Sequence, residues 1–159
     1  MIDRKNVELF ARHGVFTEKE LRSRYEITLE YYTKTINIEA ETCLMMAEKQ
    51  IFPACARFAG ELGRIVKDIK ACGIEPAAEM RMLKIVTLRN ARLLDAIDEL
   101  RDAISRSQQS SDALENATYE RQVIVPAMQN IRIVADDLET IVDKSFWPFP
   151  TYDDLLFNV

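Results

Sequence analysis

The chain has 159 residues, 48% of them hydrophobic, with only four glycines and five prolines, which supplies one sizeable core and leaves little for disordered linkers. A formal net charge of -5 gives no basic surplus to neutralise phosphates or anionic lipid, so nucleic acid and membrane surfaces are not expected partners. No apolar run approaches the roughly 18 residues of a spanning helix. Residues 1–6 have no apolar region behind their basic side chains, so a cytoplasmic chain is expected.

A short segment, 1–16, opens the chain and ends near His13 and Gly14. Thr17 followed by Glu20 has the capping-box pattern, in which the hydroxyl takes an orphan N–H and the carboxylate reaches back, so a helix is predicted from residue 18. Apolar or small residues then recur from Tyr25 through Leu29, Ile36, Ala40, Ala47, Ile51, Phe58, Leu62 and Ile69 to Cys72 at about the 3.6-residue period of an amphipathic helix. Gly73 offers a left-handed stop. Pro53 interrupts the pattern without changing its phase, which predicts a bend inside one long helix over 18–72. Tyr31, Ile38 and Met45 form a second apolar line on the first half, so that half is expected to face two partners.

A second helix is predicted over 76–105, with Pro76 suited to its first turn and Leu83, Val86, Asn90, Leu93, Ile97, Leu100 and Ile104 alternating three and four apart. A third, over 112–144, repeats the alternation at Leu114, Ala117, Arg121, Ile124, Met128, Ile131, Ala135, Leu138 and Val142, with Pro126 expected to bend it. The polar linker 105–111 argues for an antiparallel hairpin between them. Fold class is therefore all-α. The second half of the long helix closes an elongated three-helix bundle with the hairpin, while its first half projects as an arm or packs elsewhere; the bundle domain spans 17–144. The remaining residues, 145–159, change composition abruptly. Two prolines forbid a continuous helix there, and Trp147, Phe149, Tyr152, Leu155, Leu156 and Phe157 make a tail expected to dock on the bundle or on another part of a larger assembly. Thr151 is placed to cap one last turn.

Chemistry is hard to build from these residues. The only histidine, His13, lies outside the bundle, which removes a Glu-x-x-His di-iron site and the Ser/His/Asp and Cys/His arrangements. Acids such as Glu26, Glu30, Glu39 and Glu41 read as a solvated face. Cys43, Cys55 and Cys72 match neither a disulfide framework nor a CxxC site and read as reduced, mostly core residues. The glycines stand singly; Gly60 and Gly63 read as a close helix contact. Arg121 on an apolar seam needs a carboxylate partner or a path to water, and Asn90 reads as a register-setting polar residue. No catalytic, cofactor-binding or metal residue is assigned. The candidate interface residues are Tyr25, Tyr31, Ile38 and Met45 with the tail residues Trp147, Phe149, Tyr152, Leu155, Leu156 and Phe157.

Three stretches carry a family resemblance: Glu20-Leu21-Arg22-Ser23-Arg24-Tyr25-Glu26-Ile27 with Leu29-Glu30, then Ile51-Phe52-Pro53-Ala54, and Trp147-Pro148-Phe149-Pro150-Thr151-Tyr152 leading to Leu155-Leu156-Phe157. In order and spacing they resemble the C-terminal region of type III glutamine synthetases. The resemblance implies an ATP-dependent glutamate–ammonia ligase using a divalent metal, Mg, and assembled as stacked hexameric rings. The family's nucleotide, metal and glutamate ligands belong to a preceding catalytic domain, so no catalytic residue carries over to this chain. Met1 then reads as an artificial boundary, and the expected partners are that catalytic domain and neighbouring subunits. The expected role is oligomerisation or buttressing rather than catalysis. The alternatives are a free-standing helical adaptor or scaffold, a small carboxylate-metal enzyme, and a regulatory ligand site within the bundle.

Overall fold

The computed structural model describes residues 2–107, 112–150 and 152–157, with the side chains of 152, 153 and 157 outside that description. Among the described residues every regular element is helical. The opening segment forms a helix, α1 (Arg4–Arg12), where sequence reasoning placed none. It ends in a left-handed Gly14, whose neighbour Val15 returns its N–H to the Phe10 carbonyl at 3.0 Å, a closure that satisfies carbonyls the helix end leaves open.

The long helix α2 runs without interruption through Glu18–Met46, Ala47–Ile51 and Phe52–Ala71. Its start is the expected capping box: Thr17 Oγ1 accepts from the Glu20 N–H at 3.3 Å while Glu20 Oε2 accepts from the Thr17 N–H at 2.8 Å. Gly73 at φ 79° follows its end. Pro53 does not break it, because Ala47–Ile51 winds as a π-turn. The Phe52 N–H reaches back to the Ala47 carbonyl, a wider ring that lets the chain pass the point where the proline ring removes a donor and crowds the preceding turn.

Helix α3 (Ala77–Ser107) is followed, beyond 108–111, by α4, built from Ala113–Tyr119, a second π-turn Glu120–Ile124 and Val125–Glu139. Asp112 caps α4 by accepting the Leu114 N–H at 2.8 Å. Pro126 is again the second residue after the π-turn, with the Val125 N–H bonded to the Glu120 carbonyl. Helix α4 stops at Glu139, five residues short of the expected 144, because Thr140 to Lys144 turn the chain back toward the bundle; Asp143 collects the Ser145, Phe146 and Trp147 N–H groups there. A final helix, α5 (Tyr152–Phe157), follows the prolines; its expected cap Thr151 lies outside the described residues.

Cross-helix bonds fix the topology. Arg89 pairs with Asp137 at 2.9 Å, Asn130 donates to Glu99 at 3.1 Å, and Tyr119 donates to the Ala103 carbonyl at 3.1 Å, so α3 and α4 are antiparallel. Asn90 donates to the Phe52 carbonyl at 3.4 Å and Ser107 to Asn37 at 3.5 Å, so α3 is antiparallel to α2 as well. The core at their junction buries Ile51, Cys55, Leu93, Ile97, Leu100, Ile124, Ile131 and Leu138. Each such leucine or isoleucine stabilises the bundle by about 1.5–3 kcal/mol on burial.

Of the two placements expected for the first half of α2, an arm or packing elsewhere, the second holds: α4 begins beside Tyr25 and Leu29 and packs along it, because α4 runs parallel to α2 and reaches past the end of α3. Two other expectations differ from the structure. Gly60 and Gly63 mark no close helix contact, since a Cβ at either position would meet open space. Cys72 is exposed rather than in the core, because the helix has ended before the stripe brings it inward.

Candidate functional site

A strongly apolar recess lies where α2, α4 and the tail meet, at the first π-turn. It encloses about 470 Å³ between Ile38, Cys43, Met46, Ala47 and Ile51 of α2, Ile131 and Ala135 of α4, and Trp147, Phe149 and Pro150 of the tail. Its walls are almost wholly hydrocarbon, and its rim carries Glu39, Arg132, Asp136 and Glu139. Phe146 packs on Phe58 with ring centroids 5.6 Å apart, and Trp147 meets Phe149 edge-on at 6.5 Å. Of these rings, Trp147 and Phe149 line the recess.

The sequence-derived interface residues divide into two groups. Trp147 and Phe149 are half-buried against the core, so the first part of the tail docks on this bundle. Tyr25 is half-buried in a second, more polar recess of about 540 Å³ beside Leu29 and Leu114. Tyr31, Ile38 and Met45 are open to solvent, at 73%, 66% and 44% exposure, and form one line along α2. Leu155 and Leu156 are likewise open, at 67% and 65%, on a short helix tethered by the ion pair between Lys144 and Asp154. The side chains of Tyr152 and Phe157 lie outside the described residues. The structure therefore brings the aromatic half of the tail to the recess and leaves two aliphatic patches uncovered.

Arg121 does not occupy the seam; it is exposed, and Glu120 is buried in its place at 0% exposure. Glu120 and Ile124, four residues apart across the π-turn, both face inward, where a uniform heptad count places Arg121 instead. A proline two residues beyond an otherwise unbroken apolar stripe was the available signal. Burial pushes the Glu120 carboxyl above its usual range, against smaller opposing effects of Ser107 and Asn37. Burial also pushes the Cys55 thiol up to about 11 and raises that of Cys43 in the recess wall. Among the described residues no three His, Cys, Asp or Glu side chains converge as a metal site, and no helix is long and apolar enough to cross a membrane.

Fold and site define an all-helical packing domain whose most developed feature is apolar surface rather than a polar cleft. Residues 1–70 match the family model described as the glutamine synthetase C-terminal domain. Along nearly its whole length the chain is similar to a glutamine synthetase of Butyrivibrio fibrisolvens, 31% identical over 160 residues covering 99% of this chain and 23% of that protein. It is also similar to a type-3 glutamine synthetase of Dictyostelium discoideum, 29% identical over 96% of this chain and 22% of that protein, and to a Bacteroides fragilis glutamine synthetase at 26% identity. What the chain matches is the C-terminal part of glutamine synthetases, a type-3 member among them. It spans less than a quarter of the length of the curated relatives it matches.

Proposed function

We propose that this chain serves as the C-terminal structural domain of a glutamate–ammonia ligase, bracing the catalytic domain and neighbouring subunits and performing no chemistry alone. In this reading 17–144 is the bracing bundle and 145–159 the docking tail. ATP and Mg are handled by a catalytic domain outside these residues, and the assembled enzyme is a stack of hexameric rings. The observation that carries the proposal is the line of Tyr31, Ile38 and Met45, three large apolar side chains exposed along α2. Exposed apolar area of this kind is the usual mark of an interface.

The test is the pair Tyr31→Glu and Ile38→Glu in the native polypeptide that carries this chain. Because both positions are solvent-exposed, the domain's own unfolding free energy should move by no more than about 0.5 kcal/mol. Native mass and ligase turnover should both fall. An unchanged assembly with unchanged turnover would remove the bracing role. The second reading, a free-standing helical adaptor, draws on the same line of residues and on the bundle's self-contained core; it predicts a native polypeptide no larger than this chain.

A further inference from the structure

The buried carboxyl of Glu120 is a polar group that the bracing role does not use. It sits on the first residue of the second π-turn, where α2, the C-terminal end of α3 and α4 converge, and neither of its oxygens completes a well-directed hydrogen bond. Its polar neighbours are Ser107 of α3 and Asn37 of α2. The Ser107 hydroxyl lies 3.1 Å from the Ile104 carbonyl and 3.5 Å from Asn37 Oδ1. Ser107 and Asn37 favour the ionised carboxylate less than burial disfavours it. Among the described residues neither carboxylate oxygen has a hydrogen-bond partner, whereas a carboxylic acid brings a proton of its own to donate into the cluster.

Charged groups do not supply compensation. On α2 the titratable side chains a turn either side of Asn37 are Lys34, paired with Glu30 at 3.7 Å, Glu39 and Glu41; all three are exposed. On α3 the neighbouring Arg106 is exposed, and on α4 Arg121 is exposed while the Tyr119 hydroxyl is bonded to the Ala103 carbonyl. One turn before Asn37 the Thr33 hydroxyl is enclosed without a partner, so this end of the bundle already holds more buried polar atoms than it satisfies.

We propose that Glu120 is a proton-operated latch: as a neutral acid it donates a hydrogen bond into the Ser107–Asn37 cluster and holds the open end of the α3–α4 hairpin against α2, and on losing its proton it releases that end. This device is independent of the bracing role. The sign follows from linkage. Burial holds the folded carboxyl's pKa above its ordinary 4.5, so the latch's contribution is complete below about 4.5 and is lost as pH rises through the folded value.

The experiment is a carboxyl carbon NMR titration of the full chain, with amide hydrogen exchange followed across the same pH range and repeated on Glu120→Gln. The Glu120 signal should titrate above 4.5. The last turn of α3 and the Glu120–Ile124 turn should lose protection, beyond the chemical rise in exchange rate, by about tenfold for each pH unit between the unfolded and folded values. Glu120→Gln, neutral at every pH, should keep its protection constant. A Glu120 midpoint at or below 4.5 would overturn the proposal, and so would protection that tracks pH equally in both proteins. The titration is read in the unsubstituted chain, so the midpoint decides the matter even where the Gln variant does not fold.

Discussion

At the residue scale, burial rather than charge pairing sets the chemistry. The three cysteines occupy three environments: Cys55 in the core, Cys43 in the recess wall and Cys72 in solvent just past the end of α2. A thiol pushed up to about 11 by burial is neutral at pH 8, and the neutral thiol is a poor nucleophile. Iodoacetamide at that pH should modify Cys72 first and leave Cys55 intact until denaturant is added, as read by peptide mass spectrometry. Equal rates at the two sites would contradict the packing described. The sequence identified these residues as lone thiols without partners, but could not separate Cys72 from the core because its stripe position is correct and only the helix end excludes it. Glu120 was passed over because the residue beside it, Arg121, fits a regular heptad, whereas the buried face runs through Ala117, Glu120 and Ile124.

At the element scale, local signals were readable where a side chain and a backbone group act together. Thr17 with Glu20, Gly73, and Asp112 mark helix ends in both sequence and structure. Replacing Thr17 by Ala removes the acceptor for the Glu20 N–H and should cost about 1 kcal/mol in urea unfolding. The same change should let the Glu20 carboxyl titrate nearer its ordinary 4.5; in the intact box the Thr17 backbone N–H, and then its hydroxyl, hold it lower. Stability from that carboxylate is present above its unfolded value and fades as pH falls through the folded one. An unchanged urea midpoint would mean that the box does not anchor α2. Elsewhere the elements were harder to read. Helix α1 was missed because its apolar residues are few and it buries none of them fully. At the two prolines, where bends were expected, a π-turn lies just ahead of each and the helix stays continuous.

At the scale of the whole molecule, the all-helical class and the antiparallel hairpin were legible because they rest on long, regular apolar spacing. The division of surfaces was not. Spacing alone could not tell that Trp147 and Phe149 would close on this bundle while Leu155, Leu156, Tyr31, Ile38 and Met45 stay open, because that depends on how far α4 extends along α2. The open residues lie along the first half of α2 and on the last helix, away from the buried core, and the relatives that match this chain are several times longer than it is. Both facts favour a domain that works inside a larger polypeptide.

The most direct test is an immunoblot of the source cells with an antibody raised against this chain, reading the mass of the native polypeptide. The account predicts a band several times larger than 18.3 kDa that copurifies with ligase activity. A band at 18.3 kDa would contradict it and make the bundle a self-sufficient helical protein.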